Sequence, residues 1–126
     1  MESIDQPKHV RGLNLRFNSK KRLDVATESI YIILMKFIWD EAKNAENIKK
    51  HGIDFNDAKE IFQFPYLDGP DQKHDYGEDR WIAIGLLVNH IIVVVYTERC
   101  ENVIRITSAR KATKHEQQKF KEALTN

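Results

Sequence analysis

A chain of 126 residues and 14.8 kDa has room for one hydrophobic core and little more. Hydrophobic residues at 41% and charged residues at 31% argue against a long disordered protein and an integral membrane protein, and a formal net charge of +1 singles out no partner. The single cysteine, Cys100, excludes an internal disulfide and a cysteine-rich metal site, as suits a reducing compartment.

Residues 1–34 carry no sustained periodicity and are broken by Pro7, Gly12, Asn14, Asn18 and the basic run Lys20-Lys21-Arg22. They read as an extension, native or from a non-native start, ahead of a domain spanning residues 35–126. The apolar stretch 30–35 is far shorter than the ~20 residues of a membrane span. The amino terminus also lacks the charge pattern of a signal peptide, so a cytoplasmic protein with no membrane association is expected.

From Met35 the pattern tightens. Residues 36–39 read as a short strand. Asp40 is a good N-cap for a helix over 41–51, and Gly52 is placed to end it in a left-handed conformation. Asp54 can cap a second helix whose apolar stripe is Phe55, Ala58, Ile61 and Phe62, with Pro65 beyond its end. A loop rich in Asp and Gly follows over 66–79, with a short strand near 66–68. Residues 80–87, 91–98 and 103–109 are rich in Ile, Val, Thr and aromatics, and their connections are short enough for antiparallel hairpins. Thr113 and Glu116 form a capping box before a last helix carrying Phe120, Ala123 and Leu124 on one face. The fold class expected is α+β: two N-terminal helices, an antiparallel sheet of three to four strands and a C-terminal helix, with the helices on one sheet face.

Charge is unevenly distributed. Residues 35–79 hold 6 basic and 11 acidic side chains and residues 91–126 hold 7 and 4, compatible with a localised anion site and equally with a dipolar surface. Arg105 interrupts an apolar strand, and a mid-strand guanidinium must find an anion or reach solvent; a phosphate ligand and a structural salt bridge both satisfy it. Strict alternation would place Arg105 with Val103, Thr107 and Ala109 on one face and Arg110 with Ile104, Ile106 and Ser108 on the other. Arg80, Arg99, Arg110 and Lys111 fall at strand ends, where hairpins can bring forked donors together around a phosphate. His51 could move a proton or simply favour a helix C-terminus. Tyr96, Thr97 and Glu98 close a strand and offer hydroxyls and a carboxylate, and the Trp81 indole could stack on a base or pack in the core. Asp71, His74 and Asp75 match no metal-site spacing, and no metal or cofactor is expected.

The segments Phe37-Ile38-Trp39-Asp40-Glu41-Ala42-Lys43-Asn44 and Lys50-His51-Gly52-Ile53-Asp54-Phe55 resemble the opening of BrnT-family toxins. The segments 78–85, 94–98 and 104–112, the last reading Ile104-Arg105-Ile106-Thr107-Ser108-Ala109-Arg110-Lys111-Ala112, resemble that family's strand motifs in the same order. The resemblance spans residues 35–124. It implies a RelE-like fold and a metal-independent endoribonuclease that inhibits translation and growth. Its partners would be a BrnA-like antitoxin and RNA, with operator DNA reached only through the antitoxin. On that footing Arg80, Arg105, Arg110, Thr97 and His51 are the catalytic candidates, and Lys50, Trp81, Tyr96, Arg99 and Lys111 the substrate-binding ones. Because fold does not determine function, two other readings stay open: a ParE-like toxin that acts by binding a protein, and an interaction module without catalysis.

Overall fold

The computed structural model describes residues 9–10, 15–17, 35–71 and 79–125. The elements are β1 (His9–Val10), β2 (Leu15–Phe17), β3 (Lys36–Ile38), α1 (Glu41–His51), α2 (Phe55–Ala58) running into a 3-10 turn (Lys59–Gln63), β4 (Leu67–Pro70), β5 (Trp81–Leu87), β6 (His90–Cys100), β7 (Val103–Lys111) and α3 (Lys114–Thr125). His74 and Asp75 lie outside the described residues, as does most of the segment ahead of Met35.

Local chemistry sets the helix ends. The Asp40 side chain accepts from the backbone N–H groups of Ala42 and Lys43, and Gly52, at φ 73°, closes α1 with its own N–H on the Ile48 carbonyl. Thr113 and Glu116 form the reciprocal box, Glu116 N–H on Thr113 Oγ1 and Thr113 N–H on Glu116 Oε1. Only Asn44 and Asn47 are buried on α1, so polar contacts fasten it. The Asn47 amide donates to the carbonyls of Ile53 and Ala109 and accepts from the Ala109 N–H, while Asn44 donates to Asp54 and accepts from the Phe55 N–H. Those bonds satisfy backbone groups of Ala109 that lie beyond the pairing with β3, as a further strand would.

The strands form one sheet in the order β1-β2-β4-β5-β6-β7-β3. β4 to β7 make the expected antiparallel meander, and β3 lies parallel to β7, pairing Phe37 with Ile104 and Ile38 with Arg105. The expectation of three to four antiparallel strands is therefore corrected to a mixed sheet, five strands of it within residues 36–111. The intervening elements supply the long crossover a parallel pair requires. The short strands β1 and β2 extend the sheet beyond β4.

Helices cover both sheet faces, not one as the sequence suggested. On one face Phe55, Ala58, Ile61 and Phe62 pack on Ala83, Ile92, Val94, Tyr96, Ile104 and Ile106. Gly85 lies so close beneath Ile61 that a Cβ there would meet the Ile61 Cβ at 2.9 Å. On the opposite face Phe120 and Ala123 of α3 meet Leu67, Ile84 and Val93, residues of the other parity. The apolar run 91–96 is the sequence sign of a strand buried on both sides.

Candidate active site

The decisive local feature is a bulge in β7. Val95 pairs with Ser108 and Tyr96 with Ile106, so Thr107 is an extra residue, and its hydroxyl donates to the Val95 carbonyl at 3.1 Å. The bulge reverses the alternation beyond it: Ala109 joins Ile104 and Ile106 in the core beneath α2. Ser108 and Arg110 consequently stand on the same face as Arg105. This overturns the division of β7 expected from strict alternation, which had put Arg105 and Arg110 on opposite faces.

That shared face is the one α3 partly covers. Arg105 lies directly across from Thr97, and Val95 from Ser108. Alternation continued one residue before β5 sets Arg80 on the same side as Ile82, opposite the core-packed Trp81. Arg80, Thr97 and Arg105 thus form one row across three strands, beside the half-buried Ile82, Val95 and Ser108. Thr97 is 4% exposed, and among the described residues its Oγ1 has no hydrogen-bond partner. A buried hydroxyl left in that state costs about 1–3 kcal/mol. Among the described residues no hydrogen bond or ion pair engages the half-buried Arg105 guanidinium either.

Arg110 differs. Its two terminal nitrogens grip the Glu116 carboxylate at 2.8 and 2.9 Å, and Nη1 also donates to the Lys111 carbonyl. Burial alone would push the Glu116 carboxyl up, but the Arg110 fork and the Thr113 N–H and hydroxyl outweigh it and hold the carboxyl at about 2. The same grip raises the Arg110 value, and Asp71 adds a weaker attraction across the face. Sequence patterning read Glu116 as a cap alone and missed this clasp; no spacing rule links a strand end to the next helix in that way.

The candidates fall into two groups. Arg80, Thr97 and Arg105 belong to the sheet face. Lys50, His51, Arg110 and Lys111 line a cleft of about 670 Å³ between the end of α1 and the start of α3. Arg110 is common to both neighbourhoods. Tyr96 is 2% exposed and set edge-on to Phe62, so its ring packs the core. Trp81 packs against the same cluster, and Arg99 is exposed toward the far end of β6. Ser108 was missed because the bulge that exposes it on this face leaves no mark in the apolar pattern. Among the described residues no three His, Cys, Asp or Glu side chains gather to hold a metal, and no helix is long and apolar enough to cross a membrane.

No curated protein matches the sequence. Among solved structures, the 1.1 Å crystal structure of the Brucella abortus ribonuclease toxin, BrnT, superimposes with a TM-score of 0.54 at 35% identity, covering 64% of this chain and 99% of that one. The model of the family described as "Ribonuclease toxin, BrnT, of type II toxin-antitoxin system" matches residues 39–116, a span that takes in both groups of candidate residues and ends on Glu116. With more than half its length matched by that model, the chain belongs to the BrnT family of ribonuclease toxins of type II toxin-antitoxin systems.

Proposed function

We propose that the chain is a metal-independent endoribonuclease that cleaves RNA on the sheet face beside α3, so inhibiting translation and growth. A BrnA-like antitoxin neutralises it in the cytoplasm by covering that face or α3, and operator DNA is reached only through the antitoxin. The observation that carries this reading is the row of Arg80, Thr97 and Arg105, in which a buried hydroxyl and a mid-strand guanidinium both lack a described partner. A phosphodiester supplies what they lack: anionic oxygens for the planar fork and an acceptor for the hydroxyl.

The chemistry is transesterification. The ribose 2′-oxygen attacks phosphorus, its proton passes to a base, the bond from phosphorus to the 5′-oxygen breaks, and that oxygen takes up a proton. The products are a cyclic phosphate and a free 5′-hydroxyl. Arg105 and Arg80 stabilise the charge gathering on phosphorus, and Thr97 orients the phosphate. His51 moves the proton, with Lys50 beside it as the second candidate, and Arg110, its charge answered by Glu116, anchors α3 beside the site. The test is incubation of the purified chain with a defined RNA in excess chelator. Fragments ending in a cyclic phosphate are expected; intact RNA, with growth arrest persisting in cells, would instead favour a toxin that acts by binding protein.

A further inference from the structure

The row of Arg80, Thr97 and Arg105 occupies one end of the sheet face, and the proposed chemistry draws only Lys50, His51 and Arg110 from the cleft at the end of β7. That cleft, about 670 Å³, is walled by Lys50 and His51 from the last turn of α1, by Arg110 and Lys111 from β7, and by Thr113 and His115 from the start of α3. A second groove of about 190 Å³ shares Lys50 and His51 with it and continues between Lys43 of α1 and Thr107 and Ser108 of the bulge. The two together make a channel along the outer edge of β7. At Ser108 it reaches the face that carries Arg105. Four strand steps separate Arg105 from Arg110, roughly 13 Å at the usual rise, a distance that a few nucleotides of single strand span.

Charge selects the occupant. Arg110 and Glu116 neutralise one another, leaving Lys43, Lys50 and Lys111 against Glu46. All three lysines are exposed, and among the described residues no hydrogen bond or ion pair engages their ammonium groups. Cations spaced along a groove suit a ligand whose charge repeats along its length better than a single small anion, which a forked guanidinium holds more closely. No Phe, Tyr or Trp lines either part, and the spaced lysines suit a backbone more than bases. We propose that this channel binds the backbone phosphates of single-stranded RNA flanking the scissile bond and leads the strand past Ser108 onto the Arg105 face. The inference rests on reading the chain as a ribonuclease.

The experiment measures binding apart from cleavage. A fluorescent single-stranded RNA, methylated on every 2′-oxygen so that it cannot be cut, is titrated with the full chain at a series of salt concentrations. Each phosphate contact contributes about 0.7 to the slope of log affinity against log salt. The double variant Lys50→Gln with Lys111→Gln should flatten that slope by about 1.4 and weaken binding about tenfold at low salt. It should melt as the wild type does. Lys121→Gln, which removes one charge from exposed α3 outside the channel, should keep the wild-type slope. An unchanged slope in the double variant overturns the proposal. So does a double variant that binds RNA normally but no longer binds an acidic protein partner. RNA bound with the expected salt slopes but never cut, when unmodified, would leave the channel standing and remove the proposed chemistry; RNA cut by a protein whose salt slope ignores the two lysines would do the reverse.

Discussion

Replacing Arg110 with alanine tests whether the guanidinium that grips Glu116 is a structural clasp, and the pair itself sets the size of the effect. The Glu116 carboxyl sits at about 2 against an ordinary 4.5, a difference of 4.5 − 2 = 2.5 pH units. At 1.36 kcal/mol per unit this bounds the folded-state stabilisation at about 3 kcal/mol. The Arg110 side chain is 32% exposed, and solvent screening brings the figure to about 2 kcal/mol. Because the folded value is depressed, the contribution is complete above about pH 4.5 and is lost as pH falls through about 2. Arg110→Ala should therefore melt about 8 °C lower at neutral pH and show a flatter loss of stability over that acid window. Urea unfolding followed by circular dichroism at pH 7, 4.5, 3 and 2 measures it, and Glu116→Gln with the double variant completes a cycle whose coupling should be about 2 kcal/mol. A variant that melts and titrates like the wild type would show that the clasp contributes nothing and that the reasoning from its geometry is wrong.

Arg105→Ala should lower cleavage of a defined RNA about a hundredfold, near 3 kcal/mol, while leaving the melting temperature in place, since no described ion pair is broken. Arg105→Lys should recover only part of the rate, and an alanine variant that cuts normally removes the residue from the mechanism. A chain beginning at Met35 should fold cooperatively and remain active, because both core clusters lie within residues 35–123; its solubility should fall, since β2 no longer pairs with β4. Failure to melt cooperatively would make the preceding segment part of the fold. Expression without an antitoxin should arrest bacterial growth, and high accumulation with no growth defect and unchanged bulk RNA would end the toxin reading for this chain. Val88→Gly should stabilise by about 1 kcal/mol in thermal unfolding, because a β-branched residue is strained at φ 57° in the hairpin between β5 and β6.

The elements legible in the sequence are those fixed by short-range chemistry. Asp40, Gly52 and the Thr113–Glu116 box set helix ends through bonds to neighbours a few residues away, and the helix over 41–51 appears as expected. The β-rich runs became strands, each extending beyond or stopping one residue short of its expected ends. Long-range contacts were not legible. Nothing in Lys36-Phe37-Ile38 says that it pairs parallel with β7, because its partner lies more than 60 residues away. The side on which α3 packs depends on the parity of Ile84 and Val93, which a strand buried on both faces does not display. No spacing rule marks Asn44 and Asn47, whose amides fasten α1 to Asp54, Phe55 and Ala109. For the candidate site the residue types were legible and their grouping was not, since one extra residue at Thr107 decides which side chains share a face.

That single insertion also brings onto one face two arginines that strict alternation would set apart. Arg105 and Arg110 both interrupt β7 and both end on the face beside α3, where desolvating a guanidinium carries a cost unless an anion answers it. For Arg110 the fold supplies the anion in Glu116 and thereby locks the start of α3. For Arg105 it supplies none among the described residues, and it leaves the hydroxyl of the facing Thr97 unanswered as well. Polar groups elsewhere in the fold show how readily it can satisfy such demands: Asn47 alone makes three hydrogen bonds to backbone. Two adjacent groups with unmet hydrogen-bonding capacity are therefore the ground on which the proposed site rests. The chemistry of the pair, a fixed cation beside a hydroxyl, is what the proposed phosphodiester would answer with an anionic oxygen.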